Sequence, residues 1–143
     1  RVVRLFGFDP KVAFVSHSTF GQPSTNRTKH IKDAVEILKQ KNVNFEFDGD
    51  MQPDVALNEE YKNLYPFSKI VGNANILIMP GQHSAAISYK MLKTLGDTKV
   101  IGPLLIGLGL PIEIAPLRSS TSEIINLASI AAYSADVINY EKN

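Results

Sequence analysis

The sequence predicts an α/β protein, a three-layer αβα arrangement with a mainly parallel sheet. Short β-branched apolar runs alternate along the chain with longer runs of helical period, and turn or capping residues bound most of them. This alternation is typical of β–α–β units, whose crossover helices make neighbouring strands parallel. The chain has 143 residues, of which 44% are hydrophobic, so it is long enough to bury a core without disulfides.

Three runs have the composition of strands. "KVAFVSHS" at 11–18 is apolar and β-branched and ends in hydroxyl residues, and "NILIMPG" at 75–81 is similar. Between them, "VNFEFDG" at 43–49 alternates and stops at a turn signal. Asp48 and Asp50 are interpreted as part of that turn. Further along, "GPLLIGL" and "PIEIA" are predicted to form short strands or one interrupted strand.

Helical patterns lie between and after these strands. Apolar residues recur at helical spacing over about 31–41, and a second helix is predicted over 53–65. A third is predicted over 84–96, with Ser84 as its capping residue. The final run, 121–139, is apolar on most faces and predicts a largely buried helix.

The composition excludes several classes of function. There is no cysteine, which removes disulfides, thiolate nucleophiles and cysteine-based metal sites. The net charge of +1 gives no reason to expect nucleic acid or an anionic membrane as a partner. No apolar run reaches the roughly 18 residues of a membrane span. The chain starts at Arg1 without the features of a signal peptide, so we expect a cytoplasmic domain cut from a longer protein.

Known motifs exclude further classes. The "GLG" at 107–109 lacks a third glycine and a following helix, so the Rossmann fingerprint is absent. There is no Walker A motif and no nucleophile elbow. The histidines do not form a metal-ligand pair, and no metal site is predicted.

Polar loops follow the predicted strands: "SHSTFGQ", "DGDMQ", "PGQHS" and "PLRSS". In open parallel sheets, ligands bind beyond the carboxyl ends of the strands, so we expect these four loops to converge on one edge. Ser16 and Ser18 are the hydroxyl candidates in the first loop. Basic residues also lie at the start of the first long helix, where they indicate either a nearby polyanion or a solvated face: Arg27, Lys29 and Lys32.

The stretch "PLRSSTSEI" at 116–124 has two interpretations. Ser120 and Glu123 stand three residues apart before an apolar helix, which fits a capping box. Arg118 is not needed for a cap, and a guanidinium beside a helix N-terminus suits a phosphate or a carboxylate. The stretch is therefore predicted to be a helix cap, with an anion site at Arg118 as the second possibility.

Several segments together resemble the phosphate acetyl/butyryltransferase family: "KVAFVSHSTFG", "DGDMQPDVAL", "PFSKIVGNANILIMP", "ISYKMLK", "IGPLLIGL" and "SSTSEIINLAS". More narrowly, the chain resembles the C-terminal phosphotransacetylase-like domain of bacterial multidomain NADP-dependent malic enzymes. The resemblance covers about 11–135, and "DGDMQPDVAL" with the serine pair before "EI" is its most specific part.

The resemblance implies a fold of two α/β subdomains with a CoA-binding cleft between them. Residues 1–106 would belong to the second subdomain, and 107–143 would return toward the first. Active members move an acetyl group between CoA and phosphate. In the malic enzymes, malate oxidation with NADP and a divalent metal occurs in upstream domains, and the appended domain is thought to sense acetyl-CoA. The implied partners are a small-molecule CoA ester and the upstream domains of the same chain.

The family's site residues carry over only in part. Active transferases have a Leu-Ser-Arg-Gly stretch before the last helix, but Pro116 and Leu117 stand here in place of its serine and arginine. The family's catalytic aspartate would fall on Glu123. We therefore expect a non-catalytic, acetyl-CoA-sensing domain, with an active phosphate acetyltransferase as the alternative. The candidate contacts for acetyl-CoA or phosphate are Ser16, Ser18, Lys90, Arg118, Ser119 and Ser120. The apolar last helix also predicts a homo-oligomer.

Overall fold

The chain divides into two compact units, of which the first ends at Lys90 and the second begins at Met91. The computed structural model describes the backbone of residues 2–140 and the side chains of residues 2–136. The boundary near 106 that the family resemblance implies remains a prediction.

A three-stranded parallel sheet organises the first unit. Its strands are β1 (Lys11–Val15), β2 (Glu46–Met51) and β3 (Ile76–Ile78), in the order β2-β1-β3. The predicted α/β class is thus confirmed. The strand β2 differs from the prediction because it runs through the expected turn at Asp48–Asp50 and ends at Met51.

The helices that precede residue 96 are α1 (Val2–Leu5), α2 (Asn26–Gln40), α3 (Pro53–Leu57), α4 (Glu59–Lys62) and α5 (Gln82–Leu95), and the boundary between the two units falls within α5. Helix α2 begins earlier than its apolar pattern indicates, because Thr25 and Thr28 form a capping box. The helix predicted over 53–65 is broken at Asn58, whose extended backbone ends α3 and whose side chain caps α4.

Helix α5 starts two residues before the predicted cap. Ser84 lies inside its first turn, and the Ser84 hydroxyl donates to the carbonyl oxygen of Gly81 at 2.8 Å. A hydroxyl bonded backward in this way cannot accept from the early N–H groups of the helix. The interpretation of Ser84 as the N-cap is therefore wrong.

The core of the first unit is formed by residues of β1, β2 and α3, together with two residues from the segment before β3. Its buried side chains are Ala13, Met51, Val55, Ala56, Ile70 and Ala74. The partly buried rings of Phe20 and Tyr65 pack against this cluster. The core thus lies next to the segment that follows β1.

The second unit contains one long helix, α6 (Thr121–Tyr140), which matches its predicted span. Residues 96–120 contain no helix or strand, so the strands predicted in "GPLLIGL" and "PIEIA" are absent. A strand needs a paired ladder, and these residues have none. Leu127 is buried, but Ile124 and Ile125 are about half exposed, so α6 is not the largely buried helix we expected.

In the part of the chain that the structure describes, no helix is long and apolar enough to cross a membrane.

Candidate functional site

A buried group of polar side chains lies at the carboxyl ends of β1 and β2, where a parallel sheet places ligands. We call it the Ser16–Ser18–Asp50 cluster. The two serine Oγ atoms are 3.2 Å apart, and the Ser18 hydroxyl donates to Oδ2 of Asp50. Ser18 and Asp50 are fully buried and Ser16 nearly so. The structure therefore brings together the two serines predicted from the first loop, and it gives Ser18 an internal partner.

Asp50 occupies this place because of a bulge in β2. Phe14 pairs with Gly49, but the next residue, Val15, pairs with Met51, so Asp50 is the extra residue. The side chains of Asp50 and Met51 are consequently both buried, although they are adjacent in the strand. Gly49 permits this close approach, since a Cβ at Gly49 would lie 2.7 Å from both Cβ and O of Phe14.

The two carboxylate oxygens of Asp50 differ in their partners. Oδ1 is buried and accepts no hydrogen bond from any residue that the structure describes, whereas Oδ2 accepts from Ser18. The carbonyl oxygen of Asp50 accepts from the N–H of Phe20 at 2.6 Å. Asp50 thus holds the segment after β1 through both its side chain and its backbone. Sequence reasoning missed this role, since a bulge depends on strand register and is not visible in "DGDMQ" alone.

The loops that follow β1 and β2 are joined by further hydrogen bonds. The backbone of Thr19 and Gln22 exchanges two bonds, at 3.0 and 3.1 Å, which closes a tight turn. The N–H of Gln52 donates to Oγ1 of Thr19 at 3.2 Å, and its side-chain amide donates to the carbonyl of His17 at 2.8 Å. Two of the four predicted loops, "SHSTFGQ" and "DGDMQ", therefore converge as expected.

In the second unit, "PLRSSTSEI" forms the predicted capping box. The N–H of Glu123 donates to the Ser120 hydroxyl at 3.3 Å, and the N–H of Ser120 donates to Oε2 of Glu123 at 2.7 Å. Oε1 of Glu123 also forms an ion pair with Lys93. The bond from Lys93 and those with Ser120 lower the pKa of the Glu123 carboxyl to about 2.

The residues just before this cap differ in their exposure and in their hydrogen bonds. Leu117 is fully exposed, and Ser119 donates its N–H to the carbonyl of Pro116 at 2.9 Å. The Arg118 side chain is exposed and forms no ion pair with any residue that the structure describes. A shallow cleft beside the cap is lined by Val100, Ile101, Gly102, Pro116, Ser119, Glu123, Asn126 and Leu127.

The other predicted contacts are more scattered. Lys90 is an exposed residue of α5 at the end of the first unit, and its ligand role remains a prediction. Among the described residues, no group of three or more histidines and carboxylates could hold a metal ion. Arg27 and Lys29 are exposed in the first turns of α2.

The sheet, the polar loops at its carboxyl edge and the cap of α6 together define the class of protein. The chain belongs to the phosphate acetyl/butaryl transferase family, whose model matches residues 1–132. The predicted family resemblance is therefore confirmed.

The chain is similar to two kinds of protein, malic enzymes and phosphate acetyltransferases. The NADP-dependent malic enzyme of Rhizobium meliloti (strain 1021) is 48% identical over 134 residues, which are 94% of this chain and 18% of that enzyme. The NADP-dependent malic enzyme of Escherichia coli (strain K12) is 35% identical over 135 residues. The phosphate acetyltransferase of Clostridium acetobutylicum is 34% identical over 92% of this chain and 40% of its own length.

Solved structures agree with this assignment. The EutD phosphotransacetylase from Staphylococcus aureus superposes with a TM-score of 0.84 at 31% identity, over 93% of this chain and 42% of its own. A phosphotransacetylase from Streptococcus pyogenes gives the same TM-score at 34% identity. The chain thus spans about two fifths of the transferases and less than one fifth of the malic enzymes that it matches.

Proposed function

We propose that the chain is a regulatory, non-catalytic domain of an NADP-dependent malic enzyme and that it binds acetyl-CoA as a signal. Its similarity to malic enzymes, of which it matches only 18%, supports an appended role. In this proposal, malate is oxidised with NADP and a divalent metal in upstream domains. The chain itself supplies only the site for the CoA ester.

The hydrogen bonds and ion pair of the Glu123 carboxylate are the observation that most supports a non-catalytic domain. By the family resemblance this residue stands where active transferases have their catalytic aspartate. Its carboxylate accepts from the N–H of Ser120 and from Lys93, which lowers its pKa to about 2. A base with so low a pKa removes a proton from a thiol poorly at neutral pH, since an effective base has a pKa near the operating pH.

The neighbouring positions support the same conclusion. Pro116 and Leu117 offer no hydrogen-bond donor from their side chains, and they replace the serine and arginine of active transferases. Acyl transfer requires donors fixed on the developing charge, and the loss of one donor typically lowers the rate by roughly 10²–10³. Two such losses leave a site suited to binding without catalysis.

Binding of a phosphate-rich ligand is supported by cations that the fold leaves exposed. Arg118 is exposed beside the start of α6, and Lys90 is exposed on α5. The remaining proposed contacts are hydroxyls: Ser16, Ser18, Ser119 and Ser120. Of these, Ser16, Ser18 and Ser120 already form internal hydrogen bonds through their hydroxyls, so the charged residues should contribute most of the affinity.

Calorimetric titration of acetyl-CoA tests this site. The full-length protein and its Lys90→Ala and Arg118→Ala variants are compared, with Lys41→Ala as an exposed control. Loss of a charged contact to phosphate should weaken binding by about 1.5–3 kcal/mol. Absence of binding at millimolar acetyl-CoA, or wild-type affinity in both variants, would overturn the proposed site.

An active phosphate acetyltransferase is the second candidate, and the similarity to the Clostridium acetobutylicum enzyme favours it. The two candidates differ in turnover. Formation of acetyl-CoA from acetyl phosphate and CoA should be negligible if the regulatory proposal is correct. A rate within about ten-fold of a working transferase would instead establish the second candidate.

A further inference from the structure

Three aromatic rings pack together beside the Thr19–Gln22 turn. The ring of Phe20 lies 5.4 Å from that of Tyr65 and 4.7 Å from that of Phe67, measured between centroids. The Phe20–Phe67 pair is edge-to-face, a favoured geometry that fixes the Phe67 ring. Nevertheless, Phe67 is 63% exposed. The three rings therefore form one aromatic group that is exposed at Phe67.

The turn itself has an unusual backbone. Phe20 has a φ of 47°, and it is followed by Gly21 with a φ of 85°. Glycine adopts this left-handed conformation readily, but a bulky aromatic residue does so only when its surroundings hold it there. The bond from the Phe20 N–H to Asp50 and the contacts with Tyr65 and Phe67 provide that restraint. Strain of this kind is concentrated at binding sites.

A lysine without an internal partner lies against the same turn. Nζ of Lys32, on α2, is so close to Gly21 that a Cβ at Gly21 would be 2.1 Å from it. Lys32 forms no ion pair or hydrogen bond with any residue that the structure describes.

We infer that the Thr19–Gln22 turn, with Lys32 and Phe67, is a subsite for an adenine nucleotide, the nucleotide end of a CoA ester. Phe20 and Gly21 are adjacent in the chain, so Phe67 and the ammonium group of Lys32 lie against neighbouring residues of one turn. A flat ring with a nearby cation is complementary to a heterocyclic base that carries a phosphate. The 3′-phosphate of CoA is bound by Lys32, and its adenine lies against Phe67.

This assignment rests on the proposed function for the identity of its ligand, but it concerns different residues. Arg118 and Lys90 keep the roles proposed above, toward the other phosphates or the acyl end. The turn connects the two features at the carboxyl edge of the sheet, since Phe20 contacts the Phe67 ring and the adjacent Gly21 lies against Nζ of Lys32.

The test uses calorimetry with three probes: acetyl-CoA, acetyl-CoA without the 3′-phosphate, and adenosine 3′,5′-bisphosphate. The wild-type chain should prefer acetyl-CoA to its 3′-dephospho form by about ten-fold. Lys32→Ala should abolish that preference and weaken the bisphosphate by about ten-fold. Phe67→Ala should weaken all three probes, and Phe67→Tyr should restore them. Lys41→Ala and Leu64→Ala are the matched charged and apolar controls.

The outcomes separate the two proposals. If acetyl-CoA binds but the Lys32 and Phe67 variants behave like wild type, the subsite is wrong and the proposed function stands. If the bisphosphate binds in a Lys32-dependent manner but acetyl-CoA does not, the nucleotide subsite is supported and the proposed function fails. If the wild-type chain binds none of the probes, both are wrong. Unfolding midpoints that match wild type show that each variant is folded.

Discussion

Asp50 shows how a single residue can organise the segment that follows a strand. Its carboxylate accepts from Ser18 and its carbonyl accepts from Phe20, so it joins β2 to the turn after β1. Asp50→Ala removes the carboxylate that accepts from the buried Ser18 hydroxyl. We expect the free energy of unfolding in urea to fall by about 1–3 kcal/mol.

The controls for this prediction distinguish the hydrogen bond from the charge. Asp50→Asn retains an acceptor oxygen of similar shape and should lose less stability than Asp50→Ala. Asp33→Ala removes an exposed carboxylate from α2 and should change stability little. Equal losses in the alanine and asparagine variants would contradict the role given to the Ser18 bond.

The pKa of Glu123 leads to a prediction about pH. Its carboxylate is stabilised by Lys93 and Ser120, which lower its pKa from 4.5 to about 2 in the folded chain. A depressed pKa means that this stabilisation is fully present above pH 4.5 and is lost as the pH falls toward about 2. In a carbon-detected NMR titration, the Glu123 carboxyl should therefore titrate well below the ordinary glutamate value of 4.5.

Replacing Lys93 provides the control for the titration. Lys93→Met should return the pKa of Glu123 part of the way toward its ordinary value, because the bonds with Ser120 remain. An unchanged midpoint in this variant would show that the ion pair is not the main cause.

The cap of α6 and the Ser16–Ser18–Asp50 cluster differ in how far they can be predicted from the sequence. The cap of α6 is local, since Ser120 and Glu123 are three residues apart, and the spacing alone predicted it. The Ser18–Asp50 bond joins residues 32 apart through a strand register that contains a bulge. No local pattern encodes that register, and the same letters, "DGD", are equally typical of a turn.

Among the elements, α2 depends on a cap that its apolar pattern does not include. The N–H of Thr28 donates to Oγ1 of Thr25 at 3.3 Å, and the N–H of Thr25 donates to Oγ1 of Thr28 at 3.1 Å. Thr25→Ala should lower the stability of the first unit by about 1 kcal/mol. Ser24→Ala, one residue earlier and exposed, is the control. Thermal unfolding followed by circular dichroism would detect the difference, and equal midpoints would contradict this account of the cap.

The elements were predicted best where the hydrophobic pattern has a clear period. The parallel strands β1, β2 and β3 and the helix α6 were all predicted from periodicity. The segments "GPLLIGL" and "PIEIA" have strand composition but form none, because composition does not supply a ladder partner. The transferases that superpose on this chain are more than twice its length. We expect the strand partners for these two segments to come from the kind of additional sequence that those transferases contain.

At the scale of the whole molecule, exposed apolar side chains predict self-association. Ile124 and Ile125 on α6 are about half exposed, and Leu92 and Leu95 on α5 are more so. Large exposed apolar side chains favour an interface, and a homodimer is the simplest closed assembly. Sedimentation at about 100 µM should show a dimer. A monomer at that concentration would contradict the prediction, and Ile125→Lys should reduce association if α6 contributes to it.

The response of malate oxidation to acetyl-CoA tests the central claim most directly. The full-length protein is assayed for malate-dependent NADPH formation while acetyl-CoA is varied, and the thioester is quantified at the end. We expect a saturable change in rate with the acetyl-CoA intact, and a shift of that response to higher concentration in Arg118→Ala. A rate that does not respond at millimolar acetyl-CoA, or consumption of the thioester with phosphate, would contradict it.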